Sequence, residues 1–92
     1  MTIYTWDEAK RKSNLRNHGL DFADAAAVIE DFNSVTVEDK RYHYDERRFL
    51  TLGFSLGQEV AVIYTERNNG TRIISFRKAS RRERLAILRA NK

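Results

Sequence analysis

The chain has no cysteine and no proline, and only four glycines in 92 residues. Without cysteine there is neither a disulfide framework nor a thiolate metal site, which suits a reducing compartment. Without proline, element boundaries must be set by glycines, caps and polar clusters. The glycines stand apart at 19, 53, 57 and 70, so no Gly-rich phosphate loop exists. Apolar runs are short. Residues 25–29 and 60–64 are five each, against the roughly 20 needed to cross a bilayer as a helix. Residues 1–6 carry no basic region leading into an apolar stretch. These absences lead us to expect a soluble cytoplasmic protein with no membrane partner. There is no His-x-x-x-His, and the acidic pairs Asp7-Glu8, Glu30-Asp31 and Asp45-Glu46 fall in different segments. No metal site and no cofactor are expected.

What the chain has instead is positive charge at one end. From residue 67 onward there are nine Lys/Arg against a single carboxylate, Glu83, while residues 1–66 carry eight Lys/Arg against twelve Asp/Glu. Seven of the nine late cations are Arg, whose planar fork matches phosphate oxygens two at a time where Lys is a point charge. Such a field draws polyanions, RNA and DNA above all, although a basic helix can also be no more than a solvated face. Ninety-two residues with 41% hydrophobic content suffice for one modest core, so residues 1–92 are expected to form a single domain.

Local patterns give the elements. Residues 2–6 read as a short strand. Thr5-Trp6-Asp7-Glu8 fits a capping box opening a helix to His18, with Gly19 at the left-handed position beyond it. Asp21 can cap a second helix whose apolar stripe is Phe22, Ala25, Ala26, Ile29 and Phe32. Ser34-Val35-Thr36-Val37-Glu38 alternates as a strand does. Residues 39–46 read as loop. Strand-like runs at 47–54 and 59–67 flank the turn Ser55-Leu56-Gly57-Gln58, and Asn68-Asn69-Gly70, tolerant of positive φ, precedes a run at 71–77. Ser80-Arg81-Arg82-Glu83 is a second capping box, opening a helix expected to bury Leu85 and Leu88. The order β-α-α-β-β-β-β-α predicts a two-layer α+β domain with an antiparallel sheet.

Three groups of residues could carry chemistry. Lys10, Asn14 and His18 recur every four residues and share one face of the first helix, a strip suited to reading a ligand; His18 could also merely oppose the helix dipole. Period-two alternation puts Arg67 on the side of Ala61, Ile63 and Thr65, and Arg77 on the side of Ile73 and Ser75. Arg77 could then share an anion with Arg81 and Arg84 at the start of the last helix, or pair with a carboxylate such as Glu66. Glu83 reads as the cap rather than as a base. Tyr42, His43 and Tyr44 could stack on unpaired bases or cover the core.

The blocks Trp6-Asp7-Glu8-x-Lys10-x-x-x-Asn14-x-x-x-His18-Gly19, Asp21-Phe22-x-Asp24-Ala25, Arg48-Phe49-Leu50-Thr51-Leu52-Gly53 and Arg72-Ile73-Ile74-Ser75-x-Arg77-x-Ala79-x-x-x-Glu83-Arg84 follow one another in order. Together they resemble the BrnT family of type II toxins. The resemblance implies a compact RelE-like α+β fold and a ribonuclease that halts translation. It also implies a BrnA-like ribbon-helix-helix antitoxin as partner, through which the complex meets operator DNA. On the expected metal-independent mechanism, Arg67 and Arg77 clamp the scissile phosphate and Lys10 and His18 serve proton transfer. Asn14, Arg81 and Arg84 then contact the rest of the RNA. A non-catalytic nucleic-acid or partner-binding module using the same arginines is the alternative.

Overall fold

In the computed structural model, which describes residues 2–40 and 46–91, the order is β1 (Ile3–Thr5), α1 (Glu8–His18), a 3-10 turn (Phe22–Asp24), α2 (Ala25–Ile29), β2 (Val35–Asp39), β3 (Arg48–Ser55), β4 (Gln58–Arg67), β5 (Gly70–Lys78) and α3 (Arg81–Ala90). The α+β class and the element order are those expected. The strands form one sheet in the order β1-β5-β4-β3-β2, antiparallel except where β1 runs parallel to β5. Residues 41–45, with Tyr42, His43 and Tyr44, lie outside the described residues. Among the described residues no helix is long and apolar enough to cross a membrane.

Alternation along the strands makes two apolar faces, and helices cover both. On one face Val60, Val62 and Tyr64 of β4 and Ile73 and Phe76 of β5 pack against Phe22, Ala25 and Val28. On the reverse face Leu52 and Ala61 pack against Ile87 of α3, so this helix adds a partial third layer to the two expected. The anchor of α3 is therefore Ile87, buried with 2% exposure, whereas Leu85 and Leu88, expected inside, are 47% and 59% exposed. The second helix also stops early. Its stripe was to include Phe32, but α2 ends at Ile29 and Phe32 is left in solvent.

Capping sets the helix starts. Asp7, not Thr5, caps α1 by accepting from the backbone N–H of Ala9 and Lys10, because Thr5 is held in β1 opposite Arg72. Gly19 ends the helix at φ 70°, as anticipated. Only Asn14 of α1 is buried, so this helix is fastened by polar contacts rather than by an apolar stripe. Arg11 donates to Asp21 at 2.7 and 2.9 Å and to Glu8 at 2.9 Å. The Arg11 guanidinium, helped by the Ala23 N–H, holds the Asp21 carboxyl down at about 2.

Two backbone irregularities shape the sheet. The β3–β4 hairpin turns through Leu56 (φ 50°) and Gly57 (φ 78°), the positive pair that suits the twist of a two-residue hairpin. Glycine or asparagine adopts this conformation readily, but for leucine it costs about 1 kcal/mol. In β5 the pairing with β4 slips by one residue: Ile63 faces Ser75 but Tyr64 faces Ile73, leaving Ile74 as a bulge. Alternation alone had put Ile73 on Arg77's side. The bulge sends Ile73 into the opposite core and turns Arg72 to the face that carries Ser75 and Arg77.

Candidate functional site

Cross-strand partners project from the same face of a sheet, so the register assigns neighbours directly. Asp39 faces Arg48, Arg48 faces Thr65, Thr65 faces Arg72 and Arg72 faces Thr5, one row across all five strands. Adjacent strands lie about 4.8 Å apart, so the backbones of Arg48 and Arg72 are roughly 10 Å apart across Thr65. Arg67, two residues beyond Thr65 on β4, projects from the same face. Three guanidinium groups thus surround Thr65 on the part of this face beyond Leu52 and Ala61, where α3 packs.

Glu46 stands between two of them, 3.4 Å from the Arg67 Nη2 and 4.0 Å from the Arg48 Nε. Arg72 has no carboxylate partner among the described residues. It is half-buried and, with Arg67, lines a hollow of about 300 Å³ closed by Ile3, Thr5 and the Asn68-Asn69 turn. Two neighbouring guanidinium groups, one of them half-buried, make this hollow a candidate place for an anion. Gly70 makes this wall possible: a Cβ there would sit 2.0 Å from the Ile3 carbonyl oxygen.

The residues expected at the site are dispersed. Arg67 stands in the cluster just described. Arg77 faces Ala61 while Arg67 faces Gly70, a separation of six residues along β4, or roughly 20 Å. These two cannot clamp one phosphate. Arg77 does reach the start of α3, but the anion it meets is Glu83, through Nη1–Oε1 at 2.7 Å and Nη2–Oε2 at 3.1 Å. Glu83 also closes the anticipated capping box with Ser80. Chiefly through the Arg77 hydrogen bonds, and against the cost of its burial, its carboxyl is held at about 2.

Asn14 is not part of a ligand-reading strip. It is 8% exposed, donating from Nδ2 to the carbonyls of Phe76 (2.7 Å) and Leu20 (3.0 Å) and accepting the Phe76 N–H at 3.3 Å. β1 covers only residues 70–72 of β5's outer edge. The Asn14 amide acts as a one-residue substitute strand for the next part of that edge, with both Nδ2 hydrogens and Oδ1 engaged by the protein's own backbone. Lys10 and His18, one turn to either side, are exposed. Arg81 and Arg84 are exposed on α3 and line a separate hollow with Glu59, Leu85 and Leu88. Among the described residues no group of three His, Asp or Glu side chains stands where it could hold a metal ion.

Residues 6–83 match the family model described as the ribonuclease toxin, BrnT, of type II toxin–antitoxin systems. The chain belongs to the BrnT family. No curated protein matches its sequence significantly. The matched stretch of this BrnT chain holds the whole row from Arg48 to Arg72 together with Glu46 and Arg67. It stops before Leu85 and Leu88. Sequence reasoning missed Arg48, Arg72 and Glu46. Arg48 and Arg72 each open one of the blocks that carried the resemblance, and Arg72 is also one of the nine late cations.

Proposed function

We propose that this BrnT-family chain is a metal-independent endoribonuclease whose catalytic surface is formed by the arginines that flank the buried Thr65, Arg67 and Arg72 foremost. The observation that carries this reading is Arg72, half-buried, without a carboxylate among the described residues, in one cross-strand row with Arg48 and one step from Arg67. In this reading the scissile phosphate sits between Arg67 and Arg72, with Arg48 at its side. The 2′-hydroxyl attacks the adjacent phosphorus, the bond from phosphorus to the 5′-oxygen breaks, and a 2′,3′-cyclic phosphate and a 5′-hydroxyl result. Glu46, adjacent to Arg67 and Arg48, takes the 2′-hydroxyl proton. A proton donated to the departing 5′-oxygen is assigned to Lys10 or His18 of α1.

Charge developing on the phosphorane is stabilised by guanidinium groups fixed before reaction, each contributing on the order of 3–4 kcal/mol. Arg77 is removed from the catalytic set: its fork is engaged by Glu83, and its role is to join β5 to α3. Cleavage of RNA would inhibit translation in the cytoplasm, and a BrnA-like antitoxin would neutralise the toxin and bring operator DNA to the complex.

The test is cleavage of single-stranded RNA by the purified chain in excess EDTA. Cleavage that persists with chelator, falls at least a hundredfold in Arg72→Ala and falls similarly in Glu46→Gln, in variants that unfold at the wild-type temperature, supports the reading. Loss on chelation overturns the metal-independent chemistry. RNA binding without cleavage assigns the face to a non-catalytic module.

A further inference from the structure

The end of the sheet away from the cationic row leaves large apolar side chains in water. Leu56 at the hairpin tip is fully exposed, Phe54 is 43% exposed, and Leu85 and Leu88 face solvent on α3. They form one band. Phe54 and Glu59 are cross-strand partners. On the α3 side Glu59 joins Arg81, Arg84, Leu85 and Leu88 around a hollow of about 270 Å³. On the α2 side Phe54 and Leu56 border a second hollow of about 350 Å³, lined also by Ala23, Asp24, Ala27 and Asp31. Leu56 holds a φ of 50° that asparagine or glycine would adopt more easily, so neither the turn nor the core calls for leucine at this position.

The two ends of the band differ in sign, Arg81 and Arg84 at α3 against Asp24 and Asp31 at α2. RNA or an anionic lipid surface would be repelled at the second end. A second copy turned about a two-fold axis would also set tip against hollow and basic end against acidic end, so it is the competing outcome of the test; membership of a type II toxin family favours a neutralising protein over it. A polypeptide with carboxylates at one end, apolar anchors in the middle and lysine or arginine at the other end matches both hollows and both signs.

We infer that the β3–β4 hairpin end is the docking surface for the neutralising partner protein, through one such segment; this rests on the toxin reading above. Glu59 and Arg67 are eight residues apart on β4, or roughly 26 Å, so the partner's grip is separable from the RNA-cutting row. The experiment titrates the full chain with the BrnA-like antitoxin encoded beside it, by calorimetry, and measures RNA cleavage in parallel. Leu56→Asp combined with Leu88→Asp is expected to weaken the complex at least a hundredfold and to leave cleavage and thermal unfolding unchanged. The charge reversal Asp31→Lys with Arg84→Glu is expected to weaken it at least tenfold. Arg72→Ala is expected to bind the antitoxin as the wild type does. Folded variants of the hairpin end that bind within threefold of wild type overturn the proposal. So does a wild-type chain that is dimeric alone by light scattering and becomes monomeric in the Leu56/Leu88 variant, because the band then belongs to a second copy. Cleavage and affinity are read separately: a wild-type chain that binds the antitoxin but cuts no RNA overturns the ribonuclease function, while the variant affinities still decide the surface.

Discussion

Replacing Asn14 by alanine is expected to unfold the protein at a much lower temperature without acting on RNA contacts directly. The Asn14 amide serves both backbone groups of Phe76, a fully buried residue, and the Leu20 carbonyl. Alanine strands the Phe76 N–H and C=O, at about 1–3 kcal/mol each. The Leu20 carbonyl, in a less buried contact, recovers a water. Alanine returns about 0.5 kcal/mol through helix propensity. The net loss is about 3 kcal/mol, or a fall in melting temperature of roughly 12–24 °C for a chain of this size. Asn14→Asp is expected to be worse at neutral pH, since a carboxylate oxygen would face two carbonyls that now receive N–H donors. Thermal unfolding by circular dichroism measures both variants, with RNA affinity taken well below the transition. An Asn14→Ala protein that melts within about 3 °C of wild type and has lost RNA affinity would refute the edge-cap reasoning and return Asn14 to a ligand-reading strip.

Two further perturbations follow from the same geometry. Glu83 is depressed from its ordinary 4.5 to about 2, mainly by Arg77, so its contribution is present above pH 4.5 and is lost as pH falls towards 2. At 1.36 kcal/mol per unit, and halved for solvent screening, that is about 1.7 kcal/mol. Urea unfolding from pH 7 down to pH 2.5 is expected to show this loss in the wild type and a flatter profile in Glu83→Gln; equal slopes contradict the pairing. Gly70→Ala places a Cβ 2.0 Å from the Ile3 carbonyl oxygen. It is expected to cost about 2–3 kcal/mol by forcing β1 off β5 and to lower RNA cleavage by opening the wall beside Arg72. Hydrogen exchange at residues 70–72 checks this, since unchanged protection there contradicts it.

Much of the fold was legible because it is written in short-range chemistry. The Ser80 to Glu83 capping box, Gly19 after His18, and the turn at Leu56-Gly57 each depend on a few neighbouring residues and appear where the sequence puts them. The charge split between residue 66 and residue 67 was equally plain. Leu85 and Leu88 were misjudged because helical spacing identifies a stripe but not which stripe meets the sheet, and here Ile87 makes that contact. Asn14 was misjudged because the unpaired edge of β5 that it covers is created by strand order, 62 residues away in sequence.

The sequence alone determined the class of the fold, its element order, the end of the first helix at Gly19, the start of the last at Ser80 and the presence of an arginine-rich third. Tertiary structure decided which arginines stand together. One bulged residue, Ile74, shifts the alternation of β5 so that Arg72 turns to the face of Arg48 and Arg67, while Glu83 engages Arg77 at the start of α3. A bulge is a property of two strands paired in register, and an ion pair of two elements already packed. Neither exists until the sheet has formed.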